Sequence, residues 1–135
     1  MQTPPEIYAR AVDALNRGQW AQAHALASGL VAQVPGHGGV HFVSGVAALQ
    51  LERIPEGLRH LQLAVHHSPG RPDYAAQFAR ALAMARLTRE SLVAADAALA
   101  MGPQDPTTLD TLGVVYSQAN AHARAVGLFE RVVAH

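Results

Sequence analysis

The sequence predicts an all-α protein made of consecutive pairs of antiparallel helices. In residues 106–135, large apolar residues recur every three or four positions, which is typical of two amphipathic helices separated by a break at Asn120. Pro35, Pro69 and Pro103 lie 34 residues apart, and each follows an apolar helical run. Small residues recur with the same spacing. Together these observations indicate that one helical hairpin is repeated along the chain.

Setting each of these prolines at position 32 of a repeat divides the chain without gaps into residues 4–37, 38–71, 72–105 and 106–135. Positions 8 and 20 then hold a small residue in every repeat: Ala11, Gly45, Ala79 and Gly113, followed by Ala23, Gly57, Ser91 and Ala125. Because small side chains let two helix backbones approach closely, we expect the helices of each hairpin to cross there. No linker interrupts the repeats, so residues 1–135 are expected to form a single domain.

The first two repeats carry recognisable helix signals. Thr3 is the expected N-cap of the first helix, with prolines in its first turn, and Gly18 is expected to end it. The second helix is expected at residues 20–33 and the third at residues 40–51. Pro55 should lie in the first turn of the fourth helix, where its missing N–H costs no hydrogen bond.

The last two repeats have similar signals. The fifth helix is expected at residues 72–86, and Thr88 is expected to cap the sixth. Asp105 is a good N-cap immediately before Pro106, whose fixed φ suits the first position of the seventh helix. Asn120 is expected to end that helix and to cap the eighth.

The 34-residue period and its columns resemble the tetratricopeptide repeat, over residues 4–135. The residues that carry the resemblance are Gly18, Trp20, Ala23 and Pro35 in the first repeat and Leu112, Gly113, Tyr116, Ala125 and Phe129 in the last. The resemblance implies a right-handed superhelical solenoid of about eight helices. It also implies that the first helix of each repeat lines a concave face, which commonly binds protein partners.

By this resemblance, the concave face includes seventeen side chains. They are Tyr8, Val12, Leu15, Asn16, Phe42, Val43, Val46, Leu49 and Gln50 in the first two repeats, and Asp73, Gln77, Arg80, Met84, Asp110, Thr111, Val114 and Gln118 in the last two. The first set is mostly apolar and the second mostly polar. An apolar groove with a polar border suits an amphipathic helix or an extended peptide, so we expect a protein-interaction scaffold.

An alternative interpretation keeps the fold but not the open groove. Val12, Val46 and Leu49 would then pack against neighbouring helices. One type of ligand known for the family is not expected, because the chain contains no lysine with which to hold the carboxylate at the end of a peptide.

Composition argues against several other classes of function. The formal net charge is zero, so no nucleic-acid partner is expected. Cysteine is absent, which excludes disulfides, thiolate metal sites and a cysteine nucleophile. Neither a signal peptide nor a membrane-spanning apolar stretch is apparent, so we expect a cytoplasmic protein without membrane contact. Arginine supplies all ten basic side chains and alanine is abundant, as in proteins of GC-rich bacterial genomes.

The eight histidines are not expected to bind a metal. His37 and His41 are four residues apart, but His37 lies in the turn before the helix. His60, His66 and His67 lie on the second helix and turn of the second repeat, and no carboxylate or cysteine accompanies them at a ligand spacing.

No catalytic residue and no cofactor are predicted either. Gly36 to Gly39 faintly resemble an oxyanion-hole loop, but they fall in the turn between two repeats. Ser44 lacks the glycine two residues earlier that a nucleophile elbow needs, and no phosphate-binding GxxxxGK[ST] motif is present. The chain is therefore not expected to be an enzyme.

The C-terminal end leaves two possibilities open. The chain stops soon after Val132 and Val133, and no polar helix follows to cover the apolar face that they form with Phe129. Another copy could cover these three residues as a self-association edge. Alternatively, the chain is the N-terminal docking or regulatory module of a larger bacterial enzyme, because its alanine- and arginine-rich repeats resemble those that precede sulfotransferase or glycosyltransferase domains.

Overall fold

The computed structural model describes residues 2–134, and within this range the chain folds into α-helices joined by short turns, without strands. The helices are α1 (Pro4–Asn16), α2 (Trp20–Val31), α3 (Gly38–Gln50), α4 (Ile54–His67), α5 (Pro72–Met84), α6 (Thr88–Ala100), α7 (Pro106–Gln118) and α8 (His122–Ala134). The odd-numbered helices begin 34 residues apart, and so do the even-numbered helices. The predicted all-α fold and its 34-residue period are confirmed. We call the pairs α1–α2, α3–α4, α5–α6 and α7–α8 hairpins 1 to 4.

The same turn closes all four hairpins. One residue in each turn has a positive φ: Gly18 at 73°, and Glu52, Arg86 and Asn120 at 63°. The next N–H donates to the carbonyl five residues earlier, as in the bond from Ala121 to Tyr116 at 2.7 Å. Since only the first turn uses glycine, the other three accept the steric cost of a left-handed residue.

The caps agree with the sequence in part. Thr3 and Asp105 accept hydrogen bonds from backbone N–H groups of the first turns of α1 and α7, as predicted. The prediction for Thr88 is wrong, because α6 begins at Thr88 and Leu87 is its N-cap. α3 begins two residues earlier than expected, because the imidazole Nδ1 of His37 accepts a hydrogen bond from the N–H of Val40 at 3.1 Å.

The chain contains two compact halves, residues 1–69 and residues 70–135, each with its own core. In the N-terminal half, buried side chains of α1, α2 and α3 form one cluster. In the C-terminal half, side chains of all four helices form the other. No helix within residues 2–134 is both long and apolar enough to cross a bilayer.

The helices of each hairpin meet at the small residues. All eight residues at positions 8 and 20 of the repeats are buried. In hairpin 2, a Cβ atom built on Gly57 would lie 2.7 Å from Cδ2 of Leu49 and 3.0 Å from the carbonyl oxygen of Gly45. In hairpin 4, a Cβ atom on Gly113 would lie 2.6 Å from the ring of Phe129. In hairpin 2 the two backbones therefore approach as closely as the glycines allow, and in hairpin 4 the ring of Phe129 fills the space beside Gly113.

Hydrogen bonds between helices add to this packing in the C-terminal half. The buried hydroxyl of Tyr116 in α7 donates to Asp96 Oδ1 in α6 at 2.7 Å. Arg124 in α8 donates to the same carboxylate oxygen at 2.8 Å. Burial and the bond to Asp96 raise the pKa of Tyr116, so its hydroxyl keeps its proton and remains a donor.

We predict that Gly57→Leu lowers the free energy of unfolding by about 3 kcal/mol, because the added side chain must force α3 and α4 apart. Gly29→Leu is the matched control. A Cβ atom on Gly29 in α2 has nothing within 4 Å, so this substitution should raise stability by about 0.5 to 1 kcal/mol through helix propensity. Urea denaturation measures both effects, and equal effects of the two substitutions would contradict the close crossing.

Candidate functional site

The first helices of the hairpins carry most of the predicted binding residues. In the N-terminal half, α1 packs against α3. Tyr8, Val12 and Leu15 of α1 are partly buried against the core cluster, whereas Asn16 is exposed. These side chains keep part of their surface accessible and so can contact a partner.

Tyr8 borders a cavity at one end of α1. Its ring meets the ring of His37 edge-on, with 4.9 Å between the centroids. A Cβ atom built on Gly39 would lie 2.3 Å from the hydroxyl oxygen of Tyr8, so a larger residue there would force the tyrosine ring to move from the start of α3. The cavity has a volume of about 270 Å³ and is lined by Pro4, Pro5, Tyr8, Leu30, Val34, His37 and Val40.

In α3 the predicted residues separate into two groups. Val43 and Leu49 are each 1% exposed and Val46 is 7% exposed, so these three side chains are packed inside the protein. Phe42 is partly exposed and Gln50 is exposed. The surface that α3 offers is therefore smaller than the sequence suggested, and it centres on Phe42.

In the C-terminal half, α5 packs against α7, and α5 carries polar residues that are already engaged. Asp73 accepts two hydrogen bonds from Arg71, at 3.0 and 2.8 Å. Arg80 donates to Gln77 at 3.1 Å, and burial lowers the pKa of the Arg80 guanidinium. Met84 at the end of the helix is partly buried.

The predicted residues of α7 are more accessible. Asp110 and Gln118 are polar residues of this helix, and Val114 between them keeps 38% of its surface. The hydroxyl of Thr111 donates to the carbonyl oxygen of Thr107 within the same helix, at 3.0 Å. An exposed valine between two polar residues gives this face an apolar centre with hydrogen-bonding groups on either side.

A second apolar surface lies on α8. We call Val126, Phe129, Val132 and Val133 the α8 strip. Val126 is 53% exposed and Val133 is 85% exposed, and Phe129 and Val132 are partly buried against the core of the C-terminal half. Val126, Phe129, Glu130 and Val133 border a shallow groove of about 320 Å³.

The structure also brings together two histidines that the sequence analysis did not connect. His41 of α3 is 2% exposed and His60 of α4 is 5% exposed, and their Nδ1 atoms lie 3.0 Å apart. The repeat itself contains a signal for this contact. Because α3 and α4 are antiparallel and cross at Gly45 and Gly57, residues shortly before Gly45 must face residues shortly after Gly57.

Within residues 2–134, no group of three or more histidine, aspartate or glutamate side chains is arranged to hold a metal ion. His24 Nε2 instead lies 2.7 Å from Glu56 Oε1, which joins α2 to α4. The hydrogen bond from His24 lowers the pKa of Glu56.

Comparison with known proteins identifies the fold. No protein-family model matches the chain, and no curated protein matches it. Among solved structures, TTC0263, described as a thermophilic TPR protein in Thermus thermophilus, has a TM-score of 0.82 at 20% identity, covering 98% of this chain and 73% of that one. YrrB, described as a TPR protein with an unusual peptide-binding site, has a TM-score of 0.74 at 18% identity, covering 97% and 68%.

MamA from Desulfovibrio magneticus RS-1 has a TM-score of 0.77 at 18% identity, covering 97% of this chain and 74% of that one. At these identities the likeness concerns the fold. The chain therefore has the fold of tetratricopeptide-repeat proteins, as its 34-residue period predicted.

Proposed function

We propose that this chain is a non-enzymatic protein-interaction module whose first helices bind a peptide or helix of a partner. The main support is that these helices keep apolar side chains at the surface among polar ones, with Tyr8 and Phe42 in the N-terminal half and Val114 in the C-terminal half. YrrB, which has the same fold, is described as having a peptide-binding site. Such a surface suits an amphipathic segment that folds or orders on binding.

Val43, Val46 and Leu49 do not belong to this proposed surface, because they are almost completely buried. Their role is to hold α3 in place, as the alternative interpretation of the sequence expected for Val46 and Leu49. The partner would instead contact the partly exposed ring of Phe42 and the accessible side chains of α1.

The test begins with selection of a phage-displayed random peptide on the wild-type protein. We predict that Val114→Asp weakens binding of the selected peptide by about tenfold or more, because it places a charge in the apolar centre of the α7 face. Val93→Asp is the matched control, since Val93 is 66% exposed on the second helix α6 and should leave binding within about twofold.

Phe42→Asp tests the N-terminal half in the same way, with helical circular dichroism as the check on folding. Peptides whose binding responds to Val93→Asp, and not to Val114→Asp or Phe42→Asp, would contradict the assignment of the binding face.

A second candidate function rests on the α8 strip. Val31 and Leu99 occupy the positions in α2 and α6 that Val133 occupies in α8, and both are partly buried, whereas Val133 is 85% exposed. In the N-terminal half, α2 packs against its hairpin partner α1 and also against α3, the first helix of the next hairpin. The α8 strip is therefore suited to a helix that resembles α3.

The chemistry expected of a helix that covers the α8 strip follows from the residues of α3 that pack beside α2. They are Val40, Val43 and Ala47, all of which are buried in the cluster shared with α2. At the same positions α1 has Glu6, Ala9 and Asp13, which are all exposed. A second copy that presented α1 would bring two carboxylates onto the strip, so we favour an apolar-faced helix from a partner or from an adjoining domain of a larger protein.

We predict that a peptide with the sequence of α3, Gly38–Gln50, shifts the backbone NMR signals of α8, and that Val133→Asp abolishes these shifts. The peptide with the sequence of α1, Pro4–Asn16, should leave them unchanged, because its carboxylates would be desolvated. Affinity should be weak, with a dissociation constant of about a millimolar, since a short peptide must first become helical.

Equal shifts with the two peptides would contradict this role for the strip. Sedimentation of the protein without any peptide tests the remaining possibility, which is that a second copy of the chain covers the α8 strip. A concentration-dependent mass that Val133→Asp abolishes would identify a second copy as the occupant, as the self-association hypothesis for Phe129, Val132 and Val133 requires.

A further inference from the structure

The pair His41–His60 occupies a layer of the hairpin that is apolar in the other three repeats. The equivalent pairs are Ile7 with Leu26, Ala75 with Ala94, and Leu109 with Leu128. All six of these residues belong to the two core clusters or pack against them. Hairpin 2 therefore replaces an ordinary hydrophobic contact with two ionisable side chains, although both are almost fully buried. A polar pair at such a place costs stability unless its hydrogen bonds are made.

The hydrogen bonds fix one arrangement of protons. The carbonyl oxygen of Pro35 can only accept, so His41 Nε2, which lies 2.7 Å away, carries a hydrogen and donates it. In the neutral ring, His41 Nδ1 is then an acceptor. His60 Nδ1, at 3.0 Å, must be the donor to it. His60 Nε2 is left as an acceptor and faces Nη2 of Arg59 at 3.5 Å.

This chain of bonds joins three parts of the N-terminal half. It runs from the turn after α2, through α3, to α4, and each histidine uses both ring nitrogens. All of these hydrogen bonds can form when both rings are neutral, and they cannot all form when both rings are charged. A proton added to His41 Nδ1 removes the acceptor that His60 Nδ1 needs, so His60 would have to move its own hydrogen to Nε2, which faces the guanidinium of Arg59.

A proton added to His60 meets a different obstacle. It would have to occupy Nε2, which faces the guanidinium of Arg59. The other ionisable neighbours do not offset this well. Glu56 on α4 favours a charged His60, but it is hydrogen-bonded to His24 of α2, which opposes that charge. On the other side of His41, the ring of His67 lies stacked at 5.8 Å.

We propose that the His41–His60 pair is a proton-sensitive latch between α3 and α4, closed when both rings are neutral and opened when either ring takes up a proton. Opening separates the two helices at the layer next to the crossing of Gly45 and Gly57. It thereby loosens α3, the helix that carries Phe42. The latch does not depend on the proposed binding function, because it follows from the packing of hairpin 2 alone.

The direction of the pH effect follows from His60. The pKa of His60 is lowered to about 4, mainly by burial and then by the charge of Arg59. A histidine in the unfolded chain titrates near its ordinary pKa of 6.5. Between these two values the unfolded chain binds the proton and the folded chain does not. The stabilising contribution of the neutral pair is therefore complete above about pH 6.5 and is lost progressively as the pH falls toward about 4.

The first measurement uses the native protein and needs no variant. Long-range ¹H–¹⁵N NMR spectra near neutral pH should show the hydrogen of His41 on Nε2 and the hydrogen of His60 on Nδ1. The ring signals of His60 should show no protonation as the pH falls through 6.5. The same tautomer in both rings, or a His60 titration near 6.5, would overturn the proposal.

The second measurement uses a variant in which leucine replaces both histidines, as in the equivalent pair Leu109 and Leu128 of hairpin 4. The double variant His41→Leu/His60→Leu should lose the pH dependence that the pair contributes. Between about pH 8 and pH 5, the unfolding equilibrium constant of the wild-type protein should rise by at least about thirtyfold more than that of the double variant, which is the contribution of His60 alone. His66→Leu, the control on the same helix, should keep the wild-type pH dependence. Parallel pH profiles of the wild-type protein and the double variant would overturn the proposal.

Discussion

The close crossing of two helices at a pair of small residues is the constraint on which the rest of this structure depends. In hairpin 2 the contact is glycine against glycine, and in hairpin 4 the ring of Phe129 lies on the backbone of Gly113. Since the hydrophobic residues around each crossing are mostly alanine, leucine and valine, they fill the core only if the backbones come close. The small residues therefore determine the geometry of each hairpin as well as its position in the chain.

The crossing also decides which other residues meet. Once two antiparallel helices are fixed at positions 8 and 20, the layers on either side are determined by counting outward along each helix. In three hairpins the next layer is apolar, and in hairpin 2 it holds two histidines whose hydrogen bonds reach the turn after α2. A polar pair in that layer gives one hairpin a chemical property that the other hairpins lack.

Much of the fold could be predicted from the sequence because its signals are local. Prolines at the starts of helices and a repeated spacing of small residues place most helix boundaries within a few residues. The cap made by His37 was missed because histidine is seldom an N-cap, and Thr88 was misassigned because the hairpin turn itself supplies the first bonds of α6. Glu52 and Arg86 were not recognised as left-handed residues, since nothing in their chemistry requires a positive φ.

The surfaces were harder to predict because exposure depends on how neighbouring helices pack. Periodicity placed Val43, Val46 and Leu49 on the same helix as Phe42, but it could not distinguish a partly exposed ring from three buried side chains. The His41–His60 contact was missed for a related reason. Metal-ligand spacing concerns residues close together along the chain, whereas the hairpin brings together residues that lie 19 positions apart.

The most direct measurement of the central claim is the set of nuclear Overhauser effects between the glycines of hairpin 2. Each glycine points an α-hydrogen at the position where a Cβ atom would meet the opposite backbone, 3.0 to 3.2 Å from a carbonyl oxygen. We expect a clear Overhauser effect between α-hydrogens of Gly45 and Gly57, and strong upfield ring-current shifts of the Gly113 α-hydrogens beneath Phe129. Helical chemical shifts in α3 and α4 without any contact between the two glycines would contradict the close crossing.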